Sequence, residues 1–192
     1  MKTPHRTLII AALVHLAAGL AGIVAEGQPI VATVPGFDWN RWAAVVHEDP
    51  CGWLDGAALT RVFGTEVPQA VERSRGQVSC VWRTPDNTTL LRASVIIWDT
   101  AANLARKRRE QIGQVEEGVH QVFQQVEAPG GVVTAMLRRD HSRLSLLPNS
   151  DDERASIAIS SPVLPREDAP SRAAGRDRVM AFGRALIDRY GL

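Results

Sequence analysis

Residues 77–99 read QVSCVWRTPDNTTLLRASVIIWD. Gln77–Thr84 and Leu90–Asp99 are rich in β-branched and aromatic residues, and they flank Pro85-Asp86-Asn87, which has the chemistry of a tight turn. The stretch therefore predicts an antiparallel hairpin. In its second strand Leu91, Ala93, Val95 and Ile97 form one face, and Leu90, Arg92, Ser94, Ile96 and Trp98 the other. A strand apolar on one side and mixed on the other can carry a second cover or an exposed groove. Trp82 stands two residues from Cys80, so the two share a strand face.

Working outward, Leu54–Gly64 reads as a short helix. Asp55 can cap it, Leu59, Val62 and Phe63 share a face, and Gly64 ends it. Downstream, Asp99 or Thr100 caps a helix running to about Glu117 and closed by Gly118. Val119–Glu127 reads as a strand up to the Pro129-Gly130-Gly131 turn. Val132–Arg139 and Arg143–Leu147 form a second hairpin around Asp140-His141-Ser142, and Ala155–Ser161 is another strand. After a segment rich in prolines and charges, a last helix runs from about Ser171 to Tyr190, with Val179, Phe182, Leu186 and Tyr190 on one face. Hairpins mixed with helices make an α+β domain, an antiparallel sheet of about five strands with helices packed on one face.

The N-terminus gives an address. Met1–Arg6 carries Lys2, His5 and Arg6, and Leu8–Ala25 is apolar apart from His15 and two glycines. A short positive segment, an apolar segment and a small residue at Ala25 predict a secretory signal over residues 1–25. The rival is a retained membrane anchor. A spanning helix needs roughly 20 apolar residues, and Thr7–Ala25 falls short, with His15 at its middle and Gly19 and Gly22 weakening it. Leu20-Ala21-Gly22 matches the start of a bacterial lipoprotein signal, but Ile23 stands where the acylated cysteine would be. Residues 26–48 follow as a low-order lead-in broken by Pro29, Pro35 and Gly36, with one or two helical turns at Trp39–Val46. That leaves 49–192 as a single domain.

The full chain has 22 basic and 21 acidic residues; without Lys2 and Arg6 the remainder is 20 against 21, a net −1. This balance argues against nucleic acid or an anionic membrane as partner. Lys107 is the one lysine after residue 25, a bias that marks GC-rich bacterial coding sequence. Cys51 and Cys80 are an even pair in an exported chain, which favours a disulfide between them, the rival being two buried free thiols. With no histidine at ligand spacing, a zinc site is not expected.

Catalytic chemistry finds little support. Asp140-His141-Ser142 holds the residue types of a hydrolase triad, but neighbours in a turn point apart whereas a triad converges, so a polar hairpin tip explains them better. His47 and His120 are isolated. Nucleophile-elbow, phosphate-loop and dinucleotide motifs are missing. Asp151-Asp152-Glu153 lacks the ligand spread of a calcium loop, and Arg106-Lys107-Arg108-Arg109 reads as an exposed helix side balanced by Glu110, Glu116 and Glu117. Neither a catalytic residue, a metal nor a cofactor is assigned. Five tryptophans against one tyrosine are the stronger bias. Trp39, Trp42, Trp82 and Trp98 are the candidate binding surface, set against core packing as the ordinary use of such rings.

Cys51-Gly52-Trp53-Leu54-Asp55, a short helix ending Phe63-Gly64, and Cys80-Val81-Trp82 before a hairpin together resemble a small exported domain of unknown function found among actinobacterial lipoproteins. The similar pattern spans about Pro50 to Trp98, with an echo in the final helix. It departs from the family at Ile23, the place of the lipidated cysteine, and at Ala58, where an acid is usual. The resemblance implies an exported, disulfide-linked α+β domain with no catalytic residues to carry over. The expectation is a monomeric periplasmic or secreted domain that binds a protein or small molecule and is not a catalyst. The alternatives are an envelope-associated hydrolase whose site assembles only in the fold, and a structural envelope component held by an uncleaved N-terminal helix.

Overall fold

The computed structural model describes residues 39–116, 122–162 and 168–192. The signal at 1–25, the lead-in up to residue 38, His120 and the start of the Val119–Glu127 strand lie outside the described residues. In chain order the elements are α1 (Trp39–Glu48), α2 (Gly56–Phe63), β1 (Gln69–Ser74), β2 (Gln77–Arg83), β3 (Thr89–Ile97), α3 (Ala101–Glu116), β4 (Phe123–Val126), β5 (Val133–Arg138), β6 (Arg143–Pro148), β7 (Ala155–Ser160) and α4 (Ala169–Tyr190).

The β2–β3 hairpin forms as expected, with Cys80 opposite Ala93 and Trp82 opposite Leu91. Its turn is closed by Asn87 N–H donating to the Thr84 carbonyl at 2.9 Å, and Asn87 takes the left-handed conformation at φ 69°. Asparagine adopts it because its short polar side chain tolerates that region. The Asp86 carboxylate accepts from the Thr84 hydroxyl, the main reason its pKa lies below the usual carboxylate value.

All pairings are antiparallel, in the order β1-β2-β3-β7-β6-β5-β4. The chain builds a three-strand meander, crosses through α3 to the far edge, and winds back until β7 pairs with β3. The strands therefore number seven rather than about five. β1 escaped the sequence reading because Gln69-Ala70-Val71-Glu72-Arg73-Ser74 is an edge strand, exposed at every position but Glu72. Without a buried face it has no hydropathy alternation to betray it. A charged edge of this kind also resists pairing with other chains.

The helices are not confined to one face. Leu137, Leu144, Leu146, Ile157, Ile159, Val95 and Trp82 point into a large core shared with residues of α1, α2 and α4. The intervening Met136 and Leu147 point the opposite way and pack with Leu104 of α3, beside Trp98 and Phe123. Alternation along β5 and β6 thus separates two apolar layers. The one-face expectation failed because α3 has only a thin apolar stripe. Leu104 and Ala105 are buried while Arg106, Arg109 and Glu110 remain exposed.

α1 shows that the domain begins earlier than residue 49. Trp39, Ala43 and Val46 recur at helical spacing and are buried in the large core. The Trp39 indole N–H donates to the Ala155 carbonyl at 2.7 Å, fixing the helix to β7. Arg73 of β1 in turn donates to the His47 and Glu48 carbonyls at 3.0 and 3.2 Å, satisfying groups that the end of α1 leaves open. On α4, Asp168 caps the first turn, and Val179, Phe182 and Leu186 are buried as the periodicity predicts. Each such fully buried side chain contributes about 1.5–3 kcal/mol relative to exposure.

Candidate functional site

Cys51 and Cys80 are joined in a disulfide, with Cα atoms 5.0 Å apart and a sequence separation of 29. The bond ties the connection between α1 and α2 to the first layer of the sheet. α2 is then fixed from its other side. Asp55 Oδ1 accepts the Ala58 N–H at 2.8 Å, and Asp55 Oδ2 accepts from Arg189 of α4 at 2.7 Å. The bond from Ala58 is the main cause of the lowered Asp55 pKa; a weaker opposing effect of desolvation is outweighed. A helix held at its N-cap, at the disulfide and against α4 makes a firm wall.

Between that wall and the start of β1 lies a cleft of about 860 Å³, with Cys51, Leu54, Leu59, Phe63, Val67 and Trp82 among its lining residues. Its polar rim is Thr60, Thr65, Glu66 and Gln69, and among the described lining residues Glu66 is the one ionisable side chain. The Phe63 and Trp82 rings stand 5.8 Å apart, and Trp82 continues to Phe182 at 5.1 Å. The Trp82 Nε1–H is buried without a hydrogen-bond acceptor among the described residues. Buried indole donors usually find a partner, and an unmet one costs roughly 1–3 kcal/mol.

The four tryptophans singled out from sequence do not share a surface. Trp39 and Trp82 are 2% and 1% exposed, both core residues. Trp42 is half-buried, its ring 5.3 Å from Trp39, 5.7 Å from Trp53 and 5.4 Å from Tyr190. Trp98 belongs to the second layer, its indole N–H donating to Ser156 Oγ at 2.9 Å. The reason is ordinary: large rings bury the most area, and here they form the contact chain between helices and sheet. Trp53, not singled out, is fully buried in the middle of that chain.

Of the remaining candidates, the polar hairpin tip falls where the sequence placed it, whereas Arg108 of the basic run is half-buried and pairs with Asp151 rather than with a glutamate of its own helix. Asp140-His141-Ser142 is a hairpin tip in which Ser142 donates through both its N–H and its hydroxyl to Asp140, at 3.0 and 2.7 Å. Desolvation raises the Asp140 pKa, but these two bonds together with the charges of Arg138 and Arg176 outweigh it, and the net direction is downward. A hydroxyl spent on its own turn is no nucleophile. His47 is exposed at the last turn of α1. Within the basic run, Arg106 and Lys107 pair with Glu110, and Arg108 and Arg109 with Asp151. Among the described residues there is no group of three or more His, Cys, Asp or Glu side chains able to hold a metal ion. Compared with family models, curated proteins and solved structures, the chain matches none.

What sequence reasoning missed is the cleft itself. Thr65-Glu66-Val67-Pro68-Gln69 leads into an edge strand without periodicity, and only the fold sets it opposite Leu59 and Phe63.

Proposed function

We propose that the chain is an exported binding domain, periplasmic or secreted, acting as a monomer without catalysis and taking a small apolar or amphiphilic ligand in the cleft between α2 and β1. The observation that carries this reading is the cleft's composition. An aromatic and aliphatic floor with a polar rim, in a space of about 860 Å³, has the size and chemistry of a small-molecule site. Export is supported by the disulfide, since such bonds persist in oxidising compartments. The signal-like residues 1–25 support it too, with cleavage after Ala25. The likeness of the Cys51–Trp82 segment to the exported actinobacterial domain points the same way.

Two measurements test the reading. Phenylnaphthylamine, a neutral apolar fluorophore, should bind saturably at one site. Thr60→Trp, which fills the cleft from an exposed rim position, should abolish that binding without moving the unfolding midpoint. Non-saturable fluorescence, or saturable binding that the substitution leaves unchanged, would refute the assignment of the cleft. For export, the mass of protein recovered outside the cytoplasm should correspond to a chain starting at Glu26; a mass that includes Met1–Ala25 would contradict cleavage.

A further inference from the structure

On the second face of the sheet, away from the cleft, the strand register assembles a row that no sequence motif announces. Arg92 of β3 stands opposite Ser160 of β7, and Ser160 opposite Arg143 of β6. Arg138, at the end of β5, joins them across the β5–β6 turn. These four side chains line a concavity of about 730 Å³, together with the hydroxyl-bearing Thr88, Thr89, Ser142 and Ser161.

Its electrostatics are unbalanced. Arg92 pairs with Glu72 at 2.7 Å, but Glu72 is shared with Arg83. Arg138 pairs with Asp140 at 3.3 Å, and Asp140 also serves both donors of Ser142. The Arg143 side chain has no carboxylate partner and no hydrogen bond among the described residues, so three guanidiniums line the concavity against one lining carboxylate, Asp140. Desolvation, and then the like charge of Arg138, lower the proton affinity of Arg143 below the ordinary arginine value. A guanidinium crowded in this way gains from an anion more than a solvated one does. Between Arg92 and Arg143 the Ser160 hydroxyl is also without a hydrogen bond among the described residues, leaving a neutral donor at the centre of the row.

We propose that this row is a binding site for a small molecule carrying a tetrahedral oxyanion, a phosphate or sulfate ester. Arg92 and Arg143 rise from strands two places apart, on the order of 10 Å at the backbone, with Ser160 between them. Donors on opposite sides suit an anion that offers oxygens in several directions. A carboxylate, by contrast, has both oxygens filled by a single guanidinium fork. The volume lies in the range of small-ligand sites and leaves room for the alcohol portion of the ester. The site is independent of the apolar cleft, since the two share no lining residue.

Titration calorimetry on the full chain, at constant ionic strength in chloride, compares phenyl phosphate, phenyl sulfate and benzoate. Saturable binding of one or both esters, tighter than benzoate, is expected, and the tighter ester identifies the natural anion. Arg143→Gln should weaken that binding at least about tenfold. Arg184→Gln, the same change in charge on the exposed side of α4, should leave it unchanged. If Arg143→Gln does not fold, Arg143→Lys keeps the charge, loses the fork and should weaken binding too. Three results would overturn the site: no saturable binding of either ester, benzoate binding at least as tightly as the esters, or ester affinity insensitive to the Arg143 variants.

Discussion

Gly130→Ala is the most informative single substitution that the fold suggests. A Cβ at this position would overlap the Gly191 carbonyl oxygen and lie 2.7 Å from the Gly191 carbonyl carbon and 2.8 Å from that of Leu192. All three are backbone atoms, so no side-chain rotation relieves the overlap. The Gly130 N–H donates to the Leu192 carbonyl at 3.0 Å, and the Leu192 N–H to the Ile187 carbonyl at 3.1 Å. Leu192 itself is fully buried in the large core. Relief therefore means displacing Gly191 and Leu192. Exposing the leucine costs about 1.5–3 kcal/mol, and the two hydrogen bonds add about 1 kcal/mol each. The expected loss is about 3.5–5 kcal/mol, or on the order of 10 °C in Tm for a domain of this size.

Urea unfolding followed by tryptophan fluorescence measures that loss, and Gly131→Ala is the control. Gly131 has φ 66° and open space around its Cβ position, so alanine there pays only left-handed strain, about 1–2 kcal/mol. In a Leu192→Ala background, where less is buried, Gly130→Ala should cost less than in the wild type. If Gly130→Ala costs no more than Gly131→Ala, the close approach to the C-terminal residues does not govern this turn, and the reasoning fails.

Replacing Cys51 and Cys80 together by alanine should lower stability by about 3.6 kcal/mol, the chain-entropy value for a 29-residue separation, read from urea unfolding in which the slope is free to rise because the unbridged unfolded chain exposes more surface. A loss below about 1 kcal/mol would mean the bridge constrains little. Acid should weaken the fold through its capping carboxylates. Asp55 and Asp168 have folded-state pKa values lowered chiefly by the N–H groups of Ala58 and Ser171. Their contribution is fully present above the unfolded value of about 3.9 and is lost as pH falls through the lower folded value. Asp55→Asn with Asp168→Asn keeps the caps but removes the titration, so the decline in midpoint below about pH 4 should be shallower than in the wild type; an unchanged decline would count against these two groups.

Legibility from sequence followed burial. The β2–β3 and β5–β6 hairpins, the α4 stripe and the Asp55 cap were readable because each is a local pattern: alternation, periodicity of 3.6 or a side chain reaching its own backbone. β1 was not, since an exposed edge strand has no apolar face. The helical nature of Trp39–Val46 was readable, but its membership of the core was not, because it rests on contacts with β7 and α4 far along the chain. The tryptophans illustrate the same limit. Their abundance signalled aromatic function or packing equally well, and only their positions decided for packing.

By itself, then, the sequence determined the α+β class, the hairpins, the helix faces and the cysteine pair, because neighbours along the chain impose those through backbone geometry and hydropathy period. The tertiary structure alone decided the seven-strand order, the second apolar layer under α3, the cleft beside Cys51 and the row of Arg92, Ser160 and Arg143. Each of these joins residues distant in sequence through strand register, and register is set when the whole sheet closes over its core.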